Sequence, residues 1–590
     1  MFNFQTDLVL LHAPSVYDFR RESIMFGPIS DVIPSTTQFE MYPVGFSSLV
    51  EYLGRHGFGV RILNLAYRMV TNPQYDVEKE LARVHTRAFG IDLHWLPHAH
   101  GSVEIARICK RLHPRVPVIF GGYSATYFHR ELIHYPEVDF IVRGDSTEEP
   151  MAMLMKAMNG RGELENIPNL TWKDNRGEVR VNPLTHVPAD LDGFGNNYRQ
   201  LFRNALKFMD IRGMTPIHDW WEYPITAVIT CRGCTHDCSF CGGAHSALKE
   251  FAVRPQPAWR SPERIAEDIA RVGRYTNAPI FVVGDIRQPG DDYARAVLNT
   301  LRPLHVKNHV VLELFNPAPE EHFDLVAGSL TNFNLEISPD SHDEAVRRAV
   351  GKRYVNDAME DNIRWALDRG CSKMDLFFMI GLPMQDTTSV MDTVEYAGSL
   401  MERFGPRLNP FISPLAPFLD PGSPAYERPD HYGYAIRFRR LEEYRQALLQ
   451  PSWKQMLNYE TRWMTRDQIV DSTYEAALRL NRLKQQHGFL DEQTFRLNQE
   501  RILLARQTVR QIDDILALPN SRERSLRLQA LKAQMNRASM DTICWRDEIR
   551  WPVLRRNFNF FHIAWDILFD SKLCNFARMT GWKGYRRTEK

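Results

Sequence analysis

The 590-residue sequence predicts an α/β protein in three parts: an open, Rossmann-like parallel sheet over residues 1–155, a partial (β/α)6 TIM-type barrel over 222–420, and an α-helical region over 421–590. A hairpin and linker at 156–221 join the first two. Three observations carry this reading. Two separate series of short apolar runs alternate with segments of helical period, the pattern of parallel sheets covered on both faces. The second series contains six such runs. The run Phe-Leu-Asp-Pro-Gly-Ser at 418–423 then breaks regular structure, and helical periodicity follows.

Composition narrows the class. Forty-four per cent hydrophobic and 25% charged residues describe an ordinary soluble protein. Lys+Arg 73 against Asp+Glu 72 gives no basic field, so nucleic acid is not an expected partner. No apolar run approaches the roughly 20 residues of a membrane span, and no charged leader precedes a cleavable apolar segment. Of eight cysteines, four cluster and Cys109, Cys371, Cys544 and Cys574 are scattered. That fits a reducing interior better than a disulfide framework, and a cytoplasmic location is expected.

In the first region, residues 8–12 read as a buried strand followed by a loop at 13–18. Pro43 and Gly45 open a helix in which Phe46, Leu49, Val50 and Leu53 recur at helical spacing, with Gly57 as its stop. Further strands are expected at 60–64, 88–92, 116–120 and 138–142, with a helix at 101–112. Such a sheet binds ligands in the crevice beyond its strand C-termini. The loops there carry Gly121, Gly122 and Ser124, then Gly144 and Asp145. Glycine lets the backbone approach a flat cofactor closely, though a Gly-Gly pair equally makes a tight turn. Residues 167–181 read as a hairpin turning at 174–177, the connection out of this region.

The second series has strands at 225–230, 280–283, 310–314, 333–337, 374–380 and 411–413, separated by helices such as 261–272, 343–350 and 355–368. Chemistry is expected at the C-terminal ends of these strands. The first strand leads into Cys234, Cys238 and Cys241, a C-x3-C-x2-C triplet. This spacing lets one loop place three thiolates on three corners of a cubane iron–sulfur cluster, leaving the fourth iron open. Zinc is the rival, but zinc knuckles are commonly about 12–20 residues apart. Here Cys231-x2-Cys234 and Cys238-x2-Cys241 are too close for that topology. Cys231 is left as a small strand-end residue, with a fourth ligand or catalytic thiol as the alternative.

The triplet, with Phe240 before its last cysteine, resembles the signature of the radical S-adenosylmethionine (SAM) superfamily. The resemblance implies a 4Fe-4S cluster on Cys234, Cys238 and Cys241 whose open iron holds SAM, and an external one-electron reductant of flavodoxin or ferredoxin type. It also implies SAM contacts at Phe240, at Gly284 and Asp285, at Glu336 and Ser338, at Arg347 (or its neighbour Arg348), and at Gly381. Each has an ordinary reading beside it, since strand-end acids cap helices and Gly-Leu-Pro makes turns.

The N-terminal order of strand, loop, Pro-x-Gly helix, Gly-Gly-Tyr-Ser-Ala-Thr and Val-Arg-Gly-Asp-Ser-Thr resembles the cobalamin-binding domain of cobalamin-dependent radical SAM proteins. That implies cobalamin contacts at Pro14, Ser15, Gly45, His94, Gly121, Gly122, Ser124, Gly144 and Asp145. Well-known cobalamin domains carry Asp-x-His-x-x-Gly after the first strand, and its histidine ligates cobalt. Here Asp92-Leu93-His94 is a near match that follows a later strand and ends in Pro97. Cobalamin bound base-off without histidine ligation is therefore expected. His94, His98 and His100 are read as polar loop residues on its flank, with cobalt ligation as the alternative.

Beyond 420, helices are expected at 439–449, 469–486, 491–517, 521–540 and 551–569, their Arg- and Gln-rich faces solvated. Trp545, Trp551, Phe558, Phe560, Phe561 and Trp565 are expected to pack in a core, with a substrate-facing wall as the alternative. The resemblance implies a methyltransferase acting on an unactivated carbon of a small-molecule or peptide substrate, using one SAM to methylate cobalamin and another to generate the 5′-deoxyadenosyl radical. A cyclisation or rearrangement with the same cofactors is the first alternative; a non-catalytic cobalamin- or metal-binding module is the second. The cofactors carry the hard chemistry, and no catalytic side-chain dyad is required.

Overall fold

The computed structural model describes residues 6–22, 25, 36, 38–195, 198–535, 546–553 and 558–568. Strands β1 (Thr6–His12), β2 (Val60–Asn64), β3 (Thr86–Asp92), β4 (Val118–Gly121) and β5 (Phe140–Val142) form a parallel sheet in the order β2-β1-β3-β4-β5. The unbroken apolar run of β1 follows from burial on both faces. Leu8 and Leu10 pack into one hydrophobic cluster, while Val9 and Leu11 pack into the other. The hairpin, β6 (Leu170–Lys173) and β7 (Val179–Val181), does not lie apart as a connection. Its two strands add antiparallel to the β5 edge, extending the sheet to seven.

The second sheet begins at β8 (Thr226–Ile229). A two-strand ribbon, β9 (Cys231–Arg232) with β10 (Ala258–Trp259), flanks the cysteine loop. Then come β11 (Ile280–Val283), β12 (His309–Leu314), β13 (Asn332–Asp340), β14 (Met374–Ile380) and β15 (Leu408–Pro414), longer than the expected 411–413. These strands and β8 pair in sequence order, all parallel, as an open half-barrel. The intervening helices carry local start signals. Ser261 caps Pro262–Tyr275 by accepting from the Arg264 amide at 3.4 Å, with Pro262 at the first helical position. Asp386 does the same for Thr387–Phe404, accepting from the Ser389 amide at 2.8 Å.

The C-terminal region is helical over Leu441–Leu448, Arg466–Gln486, Glu492–Leu516 and Ser521–Met535, and also holds a small antiparallel pair, β16 (Tyr434–Ile436) and β17 (Tyr459–Thr461). The single helix expected at 551–569 is corrected. Phe558 makes a bridge to Thr276, and helix spans only Phe560–Leu568. The reason is Trp551, which is pulled to the N-terminal end of the half-barrel. Its indole stacks on Phe281 with centroids 5.6 Å apart and donates to Asp375 at 2.9 Å, and its amide donates to the Tyr223 hydroxyl at 2.8 Å. Trp551 is buried, but Phe560, Phe561 and Trp565 are exposed, so the expected aromatic core covers only part of that group. Cys544, Trp545, Cys574 and the end of the helix expected at 521–540 lie outside the described residues. Among the described residues, no helix is long and apolar enough to cross a membrane.

Candidate active site

Beyond β8, Thr230 donates its hydroxyl to the Val283 carbonyl at 2.7 Å, tying the start of the cysteine loop to β11. Gly233 lies at φ +102°, and a Cβ there would stand 2.8 Å from Pro257. The loop then delivers Cys234, Cys238 and Cys241 to the wall of one cavity of about 330 Å³, with Phe240 beside them. The His236 amide donates to Cys234 Sγ at 3.4 Å and the Gly243 amide to Cys241 Sγ at 3.3 Å. Burial pushes the Cys234 thiol up to about 11 and that of Cys241 to about 12, and raises Cys238 as well. Thiols held this way ionise when a cationic metal centre joins them. Three convergent thiols with amide donors aimed at two of the sulfurs fit a cluster with an open corner. Cys231 is not on that wall; its sulfur faces the Gly233 carbonyl at 3.6 Å.

The opposite wall is made by strand ends. Glu313, Glu336, Ser338 and Asp340 line it, together with Lys352 and Met379. Burial, then the Asp285 charge, raises Glu313 to about 7. Burial, then Glu313 and Asp375, carries Glu336 well above the usual carboxylate range. Glu336 Oε2 has no hydrogen-bond partner, a buried polar atom left for a ligand. Lys352 forms an ion pair with Asp340 at 2.8 Å and donates to the Ser338 carbonyl. Burial opposes the Lys352 charge, but Asp340 outweighs it and holds the ammonium above its ordinary value. Sequence reasoning missed Glu313, Asp340 and Lys352. The signal was a charged residue at the same depth in each of two apolar strands.

Four expected SAM contacts, Gly284, Asp285, Arg347 and Gly381, are not on the lining of this cavity. Asp285 is spent on Arg287, whose Nε donates at 3.0 Å, and on the Phe315 amide at 2.9 Å. Its neighbour Gly284 likewise stands outside the cavity lining, with its amide donated to Glu313. Arg347 is fully buried, donating to the carbonyls of Ser341 at 2.8 Å and Tyr354 at 2.9 Å and to Asn356. It braces the turn after β13 and has no face on the cavity. Gly381 lies at φ +98° because Tyr459 is there: a Cβ would fall 2.3 Å from its hydroxyl. The close approach is to a tyrosine of β17.

A second cavity, about 220 Å³, opens at the C-terminal ends of β1, β3, β4 and β5. Gly45, His94, Gly121, Gly122, Gly144 and Asp145 line it, as expected, with Gly90, Asp92, Glu148 and Arg232. Its floor needs glycine. A Cβ on Gly90 would meet Leu10 at 2.8 Å, and one on Gly122 (φ +110°) would meet the His94 backbone at 2.5 Å. The glycine floor and the apolar lining by Leu10, Phe46, Ile119 and Val142 fit one edge of a large cofactor such as cobalamin laid against bare backbone. Pro14, Ser15 and Ser124, expected there too, are not on its lining. The Pro14 carbonyl packs under Gly101, Ser15 bonds through its backbone to Gln38 and Gly101, and Ser124 is buried in the helix Tyr123–Tyr127.

Below the cradle, Asp92 accepts from His12 Nδ1 at 3.0 Å and His94 Nδ1 at 2.6 Å. Burial alone would raise Asp92, but His12 and His94 outweigh it and hold the carboxylate far below its usual range. His98 is buried with Nδ1 on the Ala13 carbonyl at 3.0 Å, and His100 lies outside the cavity, near the Tyr17 amide. The two cavities are joined by charge. Arg232, two residues before Cys234, reaches the second cavity and donates to Glu148, which also accepts from Ser48 at 2.6 Å. Arg254 donates to Asp145, and Asp420 accepts from the Gly242 amide at 3.3 Å with its carboxyl raised by burial to about 6.

Comparison with known proteins agrees with both cavities. The B12 binding domain model matches residues 31–154, and the radical SAM superfamily model matches residues 228–397. The hopanoid C-3 methylase of Methylococcus capsulatus is 24% identical over 249 residues, 41% of this chain and 42% of that protein. The anaerobic magnesium-protoporphyrin IX monomethyl ester cyclase of Synechocystis is 26% identical over 31% of this chain and 33% of its own length. Each match thus spans less than half of the relative. The solved radical SAM methyltransferase TsrM from Kitasatospora setae, with tryptophan and a SAM analogue bound, superposes at a TM-score of 0.53. It shows 16% identity, covering 73% of this chain and 78% of TsrM, and so speaks to the fold. With a B12 binding domain model and a radical SAM superfamily model matched on one polypeptide, the chain carries the domain pair of the cobalamin-dependent radical SAM enzymes.

Proposed function

We propose that the protein methylates an unactivated carbon of a small-molecule or peptide substrate. The observation that carries this is Arg232. The strand that ends in the cysteine loop also lines the cobalamin cradle, so one rigid element positions both cofactor sites. When bound, SAM at the cluster supplies a radical that takes a hydrogen atom from the substrate, and cobalamin supplies the methyl that replaces it. The chain's own part is to bind, orient and exclude water. Cys234, Cys238 and Cys241 hold the cluster. Glu336, with its unpartnered oxygen, offers a hydrogen bond to the polar groups of SAM, and Lys352 fixes Asp340 and the Ser338 carbonyl beside it. Phe240, Leu314, Phe315 and Met379 supply an apolar wall against side reaction with water. The electron comes from an external flavodoxin- or ferredoxin-type donor. The balanced charge supports a partner set without nucleic acid.

Ring closure with the same cofactors is the second reading, favoured by the match to the magnesium-protoporphyrin ester cyclase. The deciding experiment is anaerobic turnover with SAM carrying a deuterated methyl group. Methylation gives 5′-deoxyadenosine and a product that carries the labelled methyl. Cyclisation gives the same nucleoside with an unlabelled product. No nucleoside under reducing conditions would overturn both.

A further inference from the structure

We propose that the outer surface shared by the helices Tyr198–Lys207 and Phe560–Leu568 docks the protein on an anionic lipid bilayer. Docking goes beyond the reaction proposed above and does not depend on it.

Among the described residues, the four most exposed large apolar side chains are Phe561 at 71%, Met209 at 68%, Phe560 at 67% and Leu206 at 61%. Single exposed apolar residues are ordinary, but these four come from two neighbouring elements. The two helices pack together although they lie far apart in sequence. Ile563 of the later helix is buried in one cluster with Leu201, Phe202 and Ala205 of the earlier one. Asn559 anchors the later helix: its amide donates to the Tyr275 carbonyl at 2.7 Å, and its side chain accepts from the His562 amide at 3.2 Å.

Met209 is held out under strain. It lies at φ +47°, just past a helix end where glycine is the usual residue. The Asp210 amide donates to the Ala205 carbonyl at 2.8 Å and closes the helix across it. Glycine would take that conformation with less strain, so the folded chain itself gives no reason for a large apolar side chain there.

Charge identifies what covers the face. Lys207 and Arg212 flank Met209 and are exposed, while Asp210 between them is turned onto Arg61 and Arg68. The sequence beyond the later helix continues this chemistry. Residues 571–590 hold six Lys or Arg against Glu589 alone, interleaved with Phe576, Trp582 and Tyr585. The whole chain balances at 73 basic against 72 acidic residues, so the excess is local. Exposed Phe, Leu and Met beside Lys and Arg suit a membrane interface, where apolar side chains enter the acyl boundary and cations meet anionic headgroups. The centre of a protein–protein interface is instead depleted in Lys.

The test is cosedimentation of the full chain, loaded with its cofactors, with vesicles of phosphatidylcholine alone or mixed with phosphatidylglycerol. Partition into the mixed vesicles should exceed that into neutral ones by about tenfold and fall as salt is raised. Phe560→Ser with Phe561→Ser, and Leu206→Ser with Met209→Ser, should each weaken it by about tenfold. Leu503→Ser with Leu526→Ser, at exposed apolar positions elsewhere, should leave it unchanged. Met209→Gly removes the side chain and relaxes the backbone, so weaker binding by that variant cannot be laid to misfolding. Equal partition into both kinds of vesicle would overturn the proposal, as would binding that both double variants leave intact. A dimer in sedimentation equilibrium that the same substitutions dissociate, without vesicle binding, would assign the face to a second copy of the chain and also overturn it.

Discussion

Glu313 and Glu336 stand directly opposite each other on β12 and β13, two buried carboxyls in register on the wall facing the cysteine loop. Like charges at that spacing oppose a second ionisation, and burial adds to the effect. The wall therefore resists ionisation of both carboxyls at once.

A pH dependence follows. The folded-state value of Glu313, about 7, lies above its ordinary 4.5, so the folded protein holds a proton that the unfolded chain has released. This contribution to stability is complete below pH 4.5 and is lost as pH rises towards 7. Thermal melts of the apoprotein across that window should fall more steeply for wild type than for Glu313→Gln. Parallel curves would refute the assignment.

Iron content separates the thiols. Cys234→Ala, Cys238→Ala and Cys241→Ala should each lose the cluster's visible absorption and retain the corrinoid. Cys231→Ala should keep both, because its sulfur faces Gly233 instead of the cavity.

The Arg232–Glu148 pair should act as a unit. Removing one partner leaves a buried charge, so Arg232→Met should cost roughly 3–5 kcal/mol in denaturant melts. Arg232→Met with Glu148→Gln should recover much of that loss. Additive losses would show that the two do not depend on each other.

Gly381→Ala should destabilise through Tyr459, by roughly 1–3 kcal/mol for overpacking of a filled site. SAM affinity, measured by equilibrium dialysis on the surviving folded fraction, should be unchanged. A weakened affinity at constant stability would return Gly381 to the cofactor.

Local chemistry that repeats along the chain was legible in the sequence. The cysteine loop and both strand series follow from spacing and period, and Gly121, Gly122 and Gly144 from their place in the loops beyond the strands. The other residues depend on contacts that only the folded chain makes, some between near neighbours and some across long stretches of sequence. Arg347 looks like a ligand-binding arginine until the carbonyls of Ser341 and Tyr354 are seen to surround it. Gly381 needs Tyr459, and Asp285 needs Arg287 and the Phe315 amide, to show what they do. Trp551 carries a helix-compatible pattern, yet its indole finds Asp375 across 176 positions of chain. No window of sequence holds such pairs.

That indole has a mechanical consequence. Stacked on Phe281 and bonded to Asp375, it pins a segment from late in the chain to the starts of β11 and β14. The order of the second sheet therefore depends on residues roughly 140 positions beyond its last strand, and shortening the chain ahead of Trp551 would strip a donor from a buried carboxyl.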